Sequence, residues 1–277
     1  MTPARPEASS ARALAWLYSP PLQRPLLAAL LAVEGEIGAS LKAGVDHQVA
    51  HVRLEWWRAE CARCAAGKPT HPLTQAALAC FAGGDLTALA GLGGLVDAAE
   101  WDLAAATFET RQELRAYCAR WAEAMIVPLA RLASPELDPA AARALGAALR
   151  QGELLSRLAP DARAGRLRLP IDELTRAPVD PACLARPPWP AALAALLRKR
   201  HALLRAELAA AVRALPPAAQ PALRALMVWA AIGSAGSRRA ERRLPHTPPQ
   251  GDDEGFLDGW RAWRAARRAS GGRFALE

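Results

Sequence analysis

The stretch His51-Val52-Arg53-Leu54-Glu55-Trp56-Trp57-Arg58 puts more aromatic surface and charge into two helical turns than any other part of the chain. Val52 and Trp56 belong to an apolar series at helical spacing that also includes Val49 and Ala59. A series with this period predicts an amphipathic helix rather than a strand. We expect the helix to bury this face in the core. The residues that we expect to anchor the fold are Arg53, Trp56 and Trp57.

The composition around this stretch predicts an all-α protein. Hydrophobic residues make up 52% of the 277 residues, but there are only 4 Phe and 2 Tyr, so strand-forming side chains are scarce. Proline clusters such as Ser19-Pro20-Pro21 separate the periodic segments and are typical of helix ends. We find no internal repeat and no long linker. We therefore predict one helical domain over residues 10–270, after a disordered segment 1–9 and before a C-terminal tail 271–277.

Helical periodicity and breaker residues together give approximate bounds for the helices. Asp46 is predicted to cap the helix that contains the Trp56-Trp57 pair, and Asp138 is predicted to cap a later one. The predicted helices cover residues 10–17, 22–41, 46–67, 72–82, 86–92, 95–103, 112–132, 139–158, 190–215, 220–239 and 254–269.

The charge pattern favours anionic partners. The net charge is +8 and the pI is about 9.9, almost wholly from Arg. These arginines are scattered over helix faces without a recognition motif, so we do not expect nucleic acid binding; diphosphate or an anionic membrane surface fits the charge. No apolar run approaches the ~20 residues of a membrane span, and residues 1–18 lack a signal peptide's apolar core. We expect a cytoplasmic protein, with peripheral contact at the inner face of the membrane left open.

Patterns typical of metal sites are incomplete. Cys61-x-x-Cys64 has no second pair at zinc-finger spacing. Two histidines at positions 47 and 51 share a helix face, but Gln48 stands where a zinc protease has its general-base Glu. Asp97 and Glu100 share a face, the geometry that a divalent cation requires, although exposed acids are common on helices. From these patterns we expect no cofactor.

Several blocks resemble the squalene/phytoene synthase family, in the same order and at similar spacing over residues 10–240. The Trp56-Trp57 block is typical of bacterial members and of relatives that act as respiratory complex I assembly factors. The resemblance implies a single isoprenoid (terpenoid) synthase helical bundle around a central apolar cavity. The blocks are residues 20–42, 52–58, 67–73, 95–103 and 107–118, and Asp161-Ala162-Arg163-Ala164-Gly165-Arg166-Leu167-Arg168-Leu169-Pro170.

The chemistry of the family depends on acidic motifs that this sequence mostly lacks. Active members condense two prenyl diphosphates head to head, and two Asp-rich motifs hold the Mg²⁺ ions that neutralise the leaving diphosphate. Counted without gaps from Pro20, the first motif falls on Gly38-Ala39-Ser40-Leu41-Lys42, which has no carboxylate. Counted back from Asp161, the second motif's Asn and first Asp fall on Glu153 and Arg157, so only Asp161 remains in register.

Two interpretations follow from the resemblance. In the first, the protein is catalytically degenerate and binds a prenyl lipid, a prenyl diphosphate or a partner protein. In the second, it is an active transferase of farnesyl or geranylgeranyl diphosphate that completes a Mg²⁺ site with residual acids or a partner subunit. An adaptor at the membrane surface, unrelated to prenyl lipids, is a further alternative. The choice must be made from the site, since a shared fold alone does not establish function.

The two interpretations assign the candidate site residues differently. In the degenerate protein the cations that replace Mg²⁺ and bind diphosphate are Lys42, Arg157, Arg163 and Arg166. In the active enzyme Asp161 is the metal ligand, Glu153 assists it, and Arg163 and Arg166 bind diphosphate. If the metal ligands have moved, the candidates are Asp97, Glu100, Asp102, Glu153 and Asp252-Asp253-Glu254.

Overall fold

The computed structural model describes residues 11–42, 44–81, 86–246 and 256–276, in which the regular structure is entirely helical. The all-α prediction is confirmed, while the predicted disordered segment 1–9 lies outside the described residues. Within these ranges, no helix combines the length and apolarity that a membrane span requires. The α-helices are α1 (Ala11–Tyr18), α2 (Arg24–Ala39), α3 (His47–Ala65), α4 (Pro72–Ala79), α5 (Gly94–Leu103), α6 (Arg111–Met125), α7 (Val127–Ala133), α8 (Pro139–Ser156), α9 (Leu158–Arg163), α10 (Ile171–Arg176), α11 (Ala191–Arg213), α12 (Arg224–Arg243) and α13 (Phe256–Ser270), and short 3-10 helices cover Leu86–Gly93, Pro181–Ala185 and Pro217–Ala219.

Both predicted N-caps are confirmed. Asp46 accepts hydrogen bonds from the backbone N–H groups of Gln48 and Val49 at 2.8 and 3.3 Å. Asp138 accepts one from the backbone N–H of Ala140 at 2.8 Å. These N–H groups have no partner within the helix, so a carboxylate before the first turn fixes where each helix begins.

A proline divides one helix that the periodicity predicts as continuous, and a second proline follows the end of another. The predicted helix 112–132 is α6 followed by α7. The predicted helix 139–158 is α8, which ends at Ser156, and the short helix α9 follows it directly. Pro128 and Pro160 lie just after these breaks. A proline ring clashes with the carbonyl group four residues earlier and cannot donate the helical hydrogen bond, so the helix is interrupted near that carbonyl.

The buried face of α3 is not the face that the sequence pattern predicts. Val52 and Trp56 are 65% and 43% exposed, and Val49 is exposed as well. The side chains that enter the core are Leu54, Trp57, Cys61 and Cys64. The prediction of a core face through Val52 and Trp56 is therefore wrong. The helix has two apolar series, and periodicity alone does not determine which of them other helices cover.

Of the three predicted anchors, only Trp57 lies in the core. Trp56 packs edge-on against the Trp57 ring, with 5.1 Å between the ring centroids, and Arg63 lies over the Trp56 ring at 5.8 Å. Arg53 is exposed. Trp57 thus anchors the helix directly, and Trp56 covers it from the solvent side.

A fully buried carboxylate holds the segment after α3. Glu60 accepts hydrogen bonds from the backbone N–H groups of Thr70 and His71 at 2.8 and 2.9 Å, and from the hydroxyl groups of Thr70 and Thr74. Arg63 pairs with it at 2.7 Å. Burial alone would raise the pKa of Glu60, but these donors lower it to about 2. Because the carboxylate is fully bonded, we assign it a structural role.

α6 and α8 cross closely at a glycine, which brings their inward side chains together. A Cβ atom at Gly146 of α8 would lie 2.6 Å from the Ala122 Cβ on α6 and 2.7 Å from the Ile126 Cγ1 directly after α6. Such separations are shorter than van der Waals contact, so only glycine allows this approach. At the other end of the chain, the expected tail packs back on the bundle. The backbone N–H of Phe274 donates to the Gln220 side chain, whose amide donates to the Phe274 carbonyl.

Candidate functional site

Two arginines and two glutamates meet where α1, α2 and α8 converge. We call these four residues, Arg12, Glu34, Arg150 and Glu153, the central charge cluster. Arg12 donates to both carboxylate oxygens of Glu153 at 2.6 and 2.7 Å, and its guanidinium also pairs with Glu34. Arg150 lies 2.9 Å from a Glu153 oxygen and 3.6 Å from a Glu34 oxygen. The two positive and two negative charges thus neutralise one another.

Two tryptophans form the wall of the central charge cluster. Trp121 of α6 donates its indole N–H to Glu34 at 2.8 Å and meets Trp229 of α12 edge-on, with ring centroids 6.1 Å apart. The Arg12 guanidinium carbon lies 5.5 Å from the Trp121 ring centroid and 5.4 Å from that of Trp229. Arg150 lies 5.2 Å from the Trp121 ring. Cation–π attraction therefore supports the ion pairs.

The central charge cluster is enclosed by five helices but still reached by solvent. Its four side chains are each between 17% and 22% exposed. Burial alone would raise the pKa of Glu34, but Arg12, Arg150 and the Trp121 hydrogen bond lower it to about 2, so this carboxylate stays charged. Attraction to Glu153 and Glu34 outweighs burial and raises the pKa of Arg12. The charged and aromatic side chains of this cluster thus lie between the packed helices.

The predicted metal ligand Asp161 lies in a second network. It is buried, and the Nε of Arg168 donates to it at 3.0 Å. Arg168 donates its two terminal N–H groups to Asp102 at 2.6 and 2.8 Å, so one guanidinium bridges two carboxylates. Arg166 and Arg157 approach the other Asp161 oxygen to 3.4 and 3.8 Å. Both carboxylate oxygens of Asp161 are therefore paired with arginine side chains.

Two of the four predicted anion-binding residues share one carboxylate partner. Arg157 and Arg166 both lie next to Asp161, and the Arg157 side chain is 65% exposed. Arg163 instead donates to the backbone carbonyl of Ala185 at 3.3 Å. Lys42 is exposed and follows the end of α2. The structure thus places Arg157 and Arg166 side by side, while the assignment of Arg163 and Lys42 to the same site remains a prediction.

The other acidic candidates are engaged in ion pairs or lie outside the described residues. Asp97 and Glu100 do share a face, and Arg58 pairs with both, at 2.8 and 2.7 Å. Asp102 binds Arg168, and Glu153 belongs to the central charge cluster. Asp252-Asp253-Glu254 lies in the part of the chain that is not described. Over the described ranges, no three His, Cys, Asp or Glu side chains are grouped as a metal site requires.

Comparison with known proteins identifies the family. The model of the family called squalene/phytoene synthase matches residues 5–251, which is most of the chain. The chain belongs to the squalene/phytoene synthase family. A phytoene synthase from Rhodobacter capsulatus is 33% identical over 150 residues. That match covers 50% of this chain and 43% of the phytoene synthase, so it spans less than half of that relative's length.

Solved structures support the same fold at low sequence identity. A dehydrosqualene synthase crystallised in complex with ligand matches with a TM-score of 0.76 at 18% identity, over 94% of this chain and 90% of that one. The squalene synthase HpnC from Alicyclobacillus acidocaldarius matches with a TM-score of 0.65 at 20% identity, over 85% of this chain and 89% of that one. The predicted isoprenoid synthase bundle is therefore confirmed.

Within the squalene/phytoene synthase framework, the central charge cluster adjoins the positions predicted for both acidic motifs. Glu153, at the position predicted for the second motif's Asn, is bound by Arg12 and Arg150. Gly38, in the segment predicted for the first motif, is one turn beyond Glu34 on α2. A Cβ at Gly38 would meet no atom within 4 Å, so the space beside α2 is open there.

Three members of the central charge cluster, namely Arg12, Glu34 and Arg150, were not among the residues predicted from the sequence. A signal for them was present. Glu34 interrupts the apolar face of Leu26, Leu30 and Val33, and buried ionised residues are rare unless they are paired. Arg150 stands three residues before Glu153, a spacing at which opposite charges meet on one helix face. No local pattern points to Arg12, whose partners are 22 and 141 residues away.

Proposed function

We propose that this squalene/phytoene synthase family protein binds a prenyl diphosphate or a prenyl lipid and does not ionise it with Mg²⁺. The observation that supports this most strongly is the central charge cluster. Glu34 and Glu153 are its carboxylates, and both are neutralised by Arg12 and Arg150. A magnesium ion would have to displace guanidinium groups to use either oxygen pair.

The donor set does not fit a Mg²⁺ site. Mg²⁺ in proteins takes oxygen ligands in near-octahedral geometry, usually one or two carboxylates together with water and substrate phosphate. Glu34, Glu153 and Asp161 are all held by arginines, and Arg157 places a positive charge where the family's second motif has an Asp. Cations in these places repel a metal ion and attract an anion.

Arginines can bind diphosphate without a metal. Arg157 is largely exposed, and its contact with Asp161 is long, at 3.8 Å. Arg166, which lies beside it, is 26% exposed and 3.4 Å from the same oxygen. Guanidinium groups bind phosphate oxygens through two parallel hydrogen bonds, and such charge-assisted bonds are among the strongest in proteins. The pair therefore offers a fixed positive site for the diphosphate of a prenyl ligand.

The second candidate function is an active prenyltransferase that joins two farnesyl or two geranylgeranyl diphosphates head to head. The 33% identity to a phytoene synthase favours it. In that case the metal site would need residual acids, such as Asp161 and Glu153, or a partner subunit.

The test combines product analysis with ligand binding. The purified protein is incubated with radiolabelled farnesyl and geranylgeranyl diphosphate, with Mg²⁺ and with EDTA, and binding is measured on filters. We expect no hydrocarbon product, and binding that survives EDTA. The double variant Arg157→Gln/Arg166→Gln should bind about tenfold less tightly or worse, since each change removes a charge-assisted hydrogen bond. Arg198→Gln, an exposed arginine on α11, is the matched control and should bind as the wild type does.

Three results would count against the proposal. A C30 or C40 hydrocarbon that forms only with Mg²⁺ would establish the active transferase. Binding that EDTA abolishes would show that a metal ion completes the site. The absence of both product and binding would favour a partner protein as the ligand.

A further inference from the structure

The last helix presents tryptophan and arginine to solvent along one face. Leu257, Trp260 and Trp263 are 60%, 47% and 44% exposed. With Arg264 and Arg267 they fall within one arc of about 120°, since successive helical residues are about 100° apart. We call these five residues the Trp–Arg face. The opposite side of α13, which packs on the bundle, carries the buried residues Asp258, Ala262, Ala265, Ala266 and Ala269.

The fold does not need large side chains on this face. The alanines on the inner side account for the packing of α13 in the core. On the outer side, Arg264 lies over the Trp260 ring at 4.6 Å and Arg267 over the Trp263 ring at 5.4 Å. Each exposed indole is thus paired with a cation on the same surface. Exposed indoles beside cations are typical of a binding surface rather than of a solvated helix face.

The surface continues onto the start of the bundle. A cleft of about 300 Å³ beside α13 is lined by Trp263 and Arg267 together with Leu17, Arg24 and Arg224. Leu17 is exposed, and so is Leu22, two residues before Arg24. Apolar and cationic side chains therefore alternate over an area wider than one helix.

The charged side chains that the structure describes on this surface are all arginines. In the part of the chain that the structure describes, no carboxylate pairs with Arg24, Arg224, Arg264 or Arg267. The acid of α13, Asp258, is buried and bound by Arg239 and Arg261 at 2.7 Å each. Arg24 and Arg224 donate to backbone carbonyls, which leaves their charge uncompensated.

We propose that the Trp–Arg face docks on the surface of a bilayer that contains anionic phospholipid. Indole rings prefer the headgroup level of a bilayer, and guanidinium groups there meet lipid phosphates. The face carries neither an acidic side chain nor a hydrogen-bond acceptor, so its chemistry complements an anionic, apolar surface. The inference is independent of the central charge cluster and of the proposed ligand.

The test is flotation of the full chain with vesicles of phosphatidylcholine alone and with added phosphatidylglycerol. We expect flotation only with the anionic vesicles, and no competition from soluble glycerophosphate. Arg264→Gln/Arg267→Gln should weaken partitioning at least tenfold, since each cation near such a surface strengthens partitioning about fivefold. Trp260→Ala/Trp263→Ala should weaken it similarly. Trp56→Ala removes a similarly exposed indole from a different helix, α3, and should float like the wild type.

Insertion of the indoles has its own readout. Phospholipids brominated on their acyl chains should quench part of the tryptophan fluorescence of the wild type and of Trp56→Phe, and much less of that of Trp260→Phe/Trp263→Phe. Wild-type protein that fails to float, or α13 variants that float unchanged, would overturn the proposal. A third result would also overturn the proposal: the wild type self-associates in sedimentation, the α13 variants are monomeric, and the wild type does not float. The Trp–Arg face would then be a contact between copies of this chain.

Discussion

Arg12 and Glu153 lie 141 residues apart in the chain and are joined by two hydrogen bonds of 2.6 and 2.7 Å. The same guanidinium pairs with Glu34 on α2. The first helix is thus tied to the middle of the bundle by charge as well as by apolar contact. This arrangement makes the central charge cluster a structural element, and it is also the feature on which the proposed Mg²⁺-independent function rests.

Removing one member of the central charge cluster should lower the free energy of unfolding. Glu34→Leu leaves Arg12 and Arg150 only partly compensated, and we expect the free energy of unfolding in urea to fall by about 3 kcal/mol, because unpaired buried charge is strongly destabilising. Arg12→Met should cost a similar amount. The double variant Arg12→Met/Glu34→Leu should lower the free energy of unfolding by less than the sum of the two single changes. The difference, which is the coupling energy of the pair, should be about 1–3 kcal/mol.

The matched control for this cycle is Glu36→Leu, an exposed residue on the same helix. It should change the free energy of unfolding by no more than about 0.5 kcal/mol. Strictly additive costs for Arg12→Met and Glu34→Leu would show that the two residues do not act as a pair.

Asp161→Asn should have opposite effects under the two candidate functions. Arg168 would keep its two contacts with Asp102, so the fold should persist. Without the negative charge, Arg157 and Arg166 would be free to bind an anion, and we expect EDTA-resistant binding of farnesyl diphosphate to strengthen several-fold. In an active transferase the same change removes a metal ligand and abolishes turnover. Weaker binding, with folding intact by circular dichroism, would argue against the arginine site.

Two glycine substitutions should act in opposite directions. Gly146→Ala forces a Cβ to within 2.6–2.9 Å of Ala122 and Ile126, so we expect it to lower the free energy of unfolding by about 1–3 kcal/mol. Gly35→Ala, in the interior of α2, meets no atom within 4 Å and should stabilise by about 0.5–1 kcal/mol. Thermal and urea unfolding measure both changes. If Gly146→Ala and Gly35→Ala changed the free energy of unfolding equally, α6 and α8 would not cross closely at Gly146.

A buried histidine should make stability depend on pH. Burial lowers the pKa of His201 to about 4 from its usual 6.5, and its Nδ1 lies 3.1 Å from the Ser237 hydroxyl. Between these two pH values the unfolded chain binds a proton that the folded protein does not. The free energy of unfolding should therefore fall as the pH drops from 6.5 to 4, by on the order of 3 kcal/mol in all.

Urea titrations at several pH values measure this contribution, with His201→Gln as the comparison. Between pH 6.5 and 4 the free energy of unfolding should change more steeply with pH for the wild type than for the variant, since the variant has no imidazole at this position. An identical pH dependence for both would show that His201 does not supply the effect.

Local sequence determined the helices, their caps and the family. Asp46 and Asp138 cap as predicted because a cap depends only on the next two or three residues. Pro128 and Pro160 break helices for an equally local reason, the clash with a carbonyl four residues earlier. The tryptophan pair and its neighbouring blocks also sufficed to recognise the squalene/phytoene synthase family, which the match over residues 5–251 confirms.

Only the tertiary structure decided which residues face one another. Helical periodicity is satisfied by both apolar series of α3, and the packing of other helices determined that Trp57, not Val52, is buried. In the same way, the sequence predicted that the Asp-rich motifs are incomplete, but only the structure placed Glu34 and Glu153 against Arg12 and Arg150. Arg12 and Glu153 pair because the fold brings them close in space and because charges away from water must be neutralised. Local sequence spacing does not show which residues the fold brings together.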